Sequence, residues 1–68
     1  MVDATDDPIE AIRLAIKREE AAYEFYMRHA KVFKNKATRK MFEALANEEI
    51  KHRERLEAEL DKNYLYEM

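Results

Sequence analysis

The feature that most constrains this chain is an apolar seam interrupted by ionisable residues. Ile9, Ile12, Ile16, Glu19, Tyr23, Tyr26, Ala30 and Phe33 follow one another in alternating steps of three and four. Thr38, Phe42, Leu45, Glu49, His52 and Leu56 repeat the same rhythm further along. That rhythm places each set on one face of an α-helix, the face that packs in a bundle. Glutamates and a histidine therefore occupy positions where leucines belong. A carboxylate buried alone is so costly that it is normally neutralised, paired or bound to metal. The chain is thus expected to form two helices, with a site at mid-seam.

Length and composition point to help from outside the chain. A chain of 68 residues is one domain at most, and it contains no Gly, no Cys and a single Pro. Ala, Glu, Lys, Leu and Arg together make up more than half of it, a composition suited to long helices. Two such helices bury one stripe each, and small chains without disulfides usually depend on a metal or a partner subunit. The net charge of −2 offers no basic patch, so nucleic acid is not expected as a partner. The lack of Cys excludes thiol chemistry. No apolar run approaches the roughly 20 residues of a membrane span, so no membrane partner is expected. The acidic stretch before Pro8 does not read as a signal peptide, and a cytoplasmic location is the default expectation.

The chain divides into three expected parts: a flexible N-terminus over 1–7, a helical hairpin over 8–62 and a C-terminal tail over 63–68. Asp7 followed by Pro8 is a helix start, and Glu10 three residues after Asp7 completes a box-like cap. The first helix should run to about Phe33. Asn35 is the expected cap of a second helix ending near Lys62. So short a connection favours antiparallel neighbours.

Spacing from the turn places the ionisable residues together. Glu19 lies about as far before the turn as Glu49 lies after it, so the two should face each other at one height. Glu49 and His52 form a Glu-x-x-His pair, one turn apart on one face. Two such pairs plus two further glutamates make the ligand set of a di-iron carboxylate bundle, and one chain supplies half of it. Carboxylate with imidazole suits iron, manganese or zinc.

Each residue also has a plainer reading. Glu49 can pair with Arg53, and Glu19 with Lys51, on a solvated face. Glu20 and Glu48 read as outward-facing, with Glu48 within reach of His52 one turn on, and His29 reads as a surface histidine. Tyr23 and Tyr26 flank the Glu19 turn as packing residues or as phenols bonded to a ligand carboxylate. Leu14, Phe25, Val32 and Ile50 lie off the seam and either broaden the bundle stripe or form a second interface.

Glu19-x-x-Ala22-x-x-x-Tyr26 and Phe42-x-x-x-Ala46-x-x-Glu49-x-x-His52 resemble the first two helices of rubrerythrin and related ferritin-like proteins. The resemblance covers about residues 9–60 and implies Glu19, Glu49 and His52 as iron ligands, with Tyr26 beside the iron site. A full ferritin-like domain has four helices. The half-length chain is similar to encapsulated ferritins, in which two subunits build one ferroxidase site. Arg18 and Ala21 stand where that family carries acidic residues flanking its first ligand.

The expected fold is therefore all-α: a two-helix antiparallel hairpin dimerising into a ferritin-like four-helix bundle. The expected cofactor is two iron ions per dimer, with manganese or zinc as alternatives, held by Glu19, Glu49 and His52 of each copy. The expected activity is oxidation of Fe(II) by O2 or peroxide, with Glu19, Glu49 and His52 as the catalytic set and Tyr23 and Tyr26 around it. The alternatives are a metal-stabilised interaction module and a rubrerythrin-like peroxide reductase with an external electron donor. The expected partner is a second copy, as a homodimer or higher even oligomer; a capsid or electron-donor partner is left open. A further alternative is that the sequence is the front half of a longer domain.

Overall fold

The computed structural model describes residues 4–65, which form an all-α hairpin of two helices. Helix α1 spans Pro8–Val32 and helix α2 spans Lys36–Asn63. Of the expected N-terminal and C-terminal segments, residues 1–3 and 66–68 lie outside the described residues.

Both helix starts follow from local chemistry. The Asp7 carboxylate accepts from the backbone N–H of Ile9 at 3.0 Å and of Glu10 at 3.4 Å, and Pro8 fills the first turn. Such a cap contributes about 1 kcal/mol. The expected box differs in one bond. The Asp7 N–H donates to the Thr5 hydroxyl at 3.2 Å, and that hydroxyl donates to the Glu10 carboxylate at 2.9 Å. Thr5 thus relays the bond that Glu10 was expected to make directly. Asn35 caps α2 as expected, its side-chain oxygen accepting from the Thr38 N–H at 2.9 Å.

The turn needs no glycine. Phe33 is extended at φ −75°, and its N–H still donates to the His29 carbonyl at 3.1 Å. The Phe33 carbonyl accepts a long 3.5 Å bond from the Arg39 guanidinium. An aromatic group closes this end of the hairpin. Phe42 stands edge-on to Phe33 at 4.9 Å and to Tyr26 at 5.8 Å between ring centres. Edge-on pairs add about 0.5–1.5 kcal/mol each beyond the area they bury. His29 was expected on the surface and is instead half-buried, its ring 4.2 Å from that of Phe25. Its Nδ1 lies 2.8 Å from the Phe25 carbonyl one turn back on its own helix, so the ring lies along the helix surface.

The seams face each other across the hairpin, yet the hairpin does not bury them. Every seam position from Ile9 to Phe33 and from Thr38 to Leu56 is at least half-buried. Among the described residues only Ala30, Ala46 and Leu60 are buried. The molecule measures 47 × 30 × 12 Å, so it is a single layer about one helix thick. A stable domain normally packs two layers around a core. Leu14, Phe25 and Val32, which lie off the seam, are exposed, whereas Ile50 is half-buried. Among the described residues no helix is long and apolar enough to cross a membrane.

Candidate metal centre

Midway along the hairpin, α1 contributes Glu19 and α2 contributes Glu49 and His52. One ligand atom from each of the three lies within 4.8 Å of the others. The His52 Nδ1 stands 3.4 Å from a Glu49 carboxylate oxygen and 3.5 Å from a Glu19 carboxylate oxygen. A single imidazole nitrogen therefore faces carboxylates from both helices. The Glu49 side chain is 14% exposed, that of Glu19 25% and that of His52 44%. The imidazole is the member most open to solvent, and Glu49 is the one held deepest.

The local origin of this grouping is simple. Glu49 and His52 sit one helical turn apart on one face of α2, and the short turn brings Glu19 back to the same height. Ala46, one turn before Glu49, is fully buried. Its small side chain lets the helices approach closely beside the site.

The plainer pairings are not adopted. Arg53 lies 3.9 Å from Glu20 and 3.7 Å from Glu57, not against Glu49. Lys51 pairs with Glu48 at 3.7 Å, which leaves it away from Glu19 and leaves Glu48 away from His52. Both carboxylates at mid-seam are thus left to the imidazole and to one another.

A groove of about 500 Å3 opens beside the cluster, lined by Glu19, Glu20, Tyr23, Glu24, Glu49, Ile50 and Arg53. The two tyrosines differ here. Tyr23 borders the groove, whereas the Tyr26 ring is engaged edge-on with Phe25 at 5.6 Å and with Phe42. No hydrogen bond joins either phenol to Glu19 or Glu49. From sequence alone Arg53 reads only as a partner of Glu49. Its place one turn after Glu49 on the same face of α2 was the signal that it borders the groove.

The donor set suits a divalent metal on chemical grounds. Two anionic oxygens and one neutral nitrogen are hard to borderline donors, matched to iron, manganese or zinc. Three such donors from one chain would leave coordination positions for another carboxylate or for a reactant. A family model described as Rubrerythrin matches residues 2–62 of this chain. The chain finds no match among curated proteins or among solved structures.

Proposed function

The chain belongs to the rubrerythrin family, and from that footing we propose that it is a di-iron carboxylate protein oxidising Fe(II) with O2 or peroxide at a site shared by two copies. The observation that carries the reading is the convergence of Glu19, Glu49 and His52, ligand atoms within 4.8 Å, on a face the hairpin leaves half-covered.

In this reading Glu19 and Glu49 supply the anionic oxygens and His52 a neutral imidazole nitrogen from the adjoining turn. Two copies bring four carboxylates and two imidazoles, and the four negative charges match two dications. Iron held there would supply the redox chemistry, with Fe(II) as the reductant and O2 or peroxide as the oxidant. The protein holds the ions with fixed charge and keeps the seam apolar on either side. Ile12 and Ile16 precede Glu19, and Leu45 and Leu56 bracket Glu49 and His52. Glu49, the most buried of the three, fixes the position of the site. His52, the most exposed, leaves it open on one side of the lone hairpin. Tyr23 at the groove edge is placed to orient a carboxylate once the second copy closes over it. The second hairpin would cover the face that a layer 12 Å thick leaves open.

That same thinness favours a second reading, in which metal serves only to hold two hairpins together as an interaction module. The two are separated by mixing the protein anaerobically loaded with about two Fe(II) per dimer with O2 and following absorbance by stopped flow. Oxidation well above the buffer rate is expected, and Glu19→Ala should remove the acceleration. A loaded wild type that oxidised iron only at the buffer rate would leave the interaction module as the better account.

A further inference from the structure

Arg53 borders the groove that opens beside the Glu19, Glu49 and His52 cluster, without belonging to that cluster. Among the described residues it is the one cation lining a groove that carries the carboxylates of Glu19, Glu20, Glu24 and Glu49. It stands on α2 between two acidic partners, 3.9 Å from Glu20 on α1 and 3.7 Å from Glu57 on its own helix. Neither distance is that of a hydrogen bond. Its Nε is sealed from solvent and makes no hydrogen bond, although the Glu57 carboxylate is near enough for charge attraction. A guanidinium normally locks into carboxylates through its fork of donors. This one is held by charge and not by fitted bonds, so it remains free to answer a change of charge beside it.

We propose that Arg53 is an internal counter-cation: it offsets the carboxylate groove when no metal is bound and opposes metal entry when one is. The inference rests on the metal-centre reading above. Four carboxylates lining one groove, two of them on its exposed rim, repel one another, and a metal-free hairpin has little buried core with which to resist that repulsion. A fixed positive charge lowers the repulsion and links the two helices at the height of the site. The same charge raises the electrostatic cost of placing a dication against the Glu19 and Glu49 carboxylates that share its groove. Arg53 is thus a positioning residue with opposite effects on the two states. A brace with a merely structural role would support both.

The test compares wild type with Arg53→Gln, Arg53→Lys and Glu20→Gln, using Zn(II) as the probe to keep redox chemistry out. Calorimetric titration gives the affinity, and thermal melts in chelator give metal-free stability. Arg53→Gln should bind Zn(II) about tenfold more tightly, the scale of one unit charge acting on a dication across a partly screened groove. Its metal-free melting temperature should fall. Arg53→Lys should restore both values towards wild type. Glu20→Gln removes groove charge and releases Arg53 towards Glu49, so it should bind Zn(II) more weakly. It tests the proposal even if Arg53→Gln fails to fold without metal. Arg53→Gln binding Zn(II) no more tightly than wild type would overturn the counter-cation, as would Glu20→Gln binding at least as tightly. A wild type that bound no Zn(II) would overturn the metal centre instead. The metal-free melts would then still judge the bracing role: a lower melting temperature in Arg53→Gln, restored in Arg53→Lys, would support it, and unchanged melts would remove it.

Discussion

Glu49→Gln should make the metal-free protein more stable and the metal-loaded protein less so. Glu49 is the most enclosed of the three converging residues, at 14% exposed, and its carboxylate faces that of Glu19, itself 25% exposed. Their ligand atoms lie within 4.8 Å. Like charges at that separation repel by about 3.5 kcal/mol at the effective dielectric of a protein near its surface. Solvent screening and the facing His52 imidazole remove part of this, so a net gain of about 1 kcal/mol is expected on neutralising Glu49. Glutamine keeps the shape and presents an amide oxygen to His52 where the carboxylate stood. In a domain of this size that gain raises the melting temperature by about 4–8 °C. With metal the sign reverses. A metal at about 100 times its Kd stabilises the wild type by about 2.7 kcal/mol, hence by roughly 10–20 °C, and Glu49→Gln should lose most of that. Thermal melts followed by circular dichroism, once in chelator and once in Zn(II) or Mn(II), read both shifts. A variant that melted lower than wild type in chelator and kept the full metal-induced rise would refute the reasoning, since Glu49 would then be a packing residue.

Two further outcomes follow from the packing. Ala46 is 0% exposed beside the site, so Ala46→Leu should force the helices apart at a cost of about 1–3 kcal/mol and weaken Zn(II) binding by separating Glu19 from Glu49; unchanged melting and affinity would show that the close approach there is not needed. The half-covered seam predicts a dimer or an even multiple of it in sedimentation equilibrium at micromolar concentration, and a folded monomer would refute that.

Most of the fold was legible because a helical seam is a statement about angle. Ile9 to Phe33 and Thr38 to Leu56 were read as facing inward, and all of them are at least half-buried. Asp7 and Asn35 were legible as caps because a short polar side chain beside a helix start has one obvious set of orphan N–H groups to meet. What angle does not report is reach. Arg53 has acidic residues on both helices within the length of its side chain, and its choice of Glu20 and Glu57 over Glu49 depends on rotamer and spacing between helices. His29 lies off the seam by angle, and its ring is half-buried because it lies against the exposed Phe25 ring and reaches the Phe25 carbonyl one turn back on its own helix. Tyr23 and Tyr26 share the seam. They separate only because Phe42, arriving from α2, engages Tyr26 and leaves Tyr23 at the groove. Thr5 entered the cap because it precedes Asp7, outside the pattern that a box is read from.

The degree of burial at the centre bears on which residues a shared metal site can use. Side chains closed inside the hairpin, such as Ala46 and Leu60, cannot reach a second copy. Side chains on the outer surface, such as Glu20 and Glu48, at 49% and 56% exposed, are engaged with their own cations, Arg53 and Lys51. Only positions on the half-covered seam both touch their neighbour helix and stay open towards a partner. Glu19, Glu49 and His52 occupy that range. Placing ionisable groups there exacts a cost from the lone hairpin, because each one replaces apolar area that would otherwise stabilise it. A sequence selected only for a stable pair of helices would carry leucine at all three. In the proposed assembly the cost is offset by the ions, whose charge turns a repulsive seam into the tightest contact between copies. Stability and metal binding are therefore expected to trade against each other at these positions, while at Ala46 they should rise and fall together.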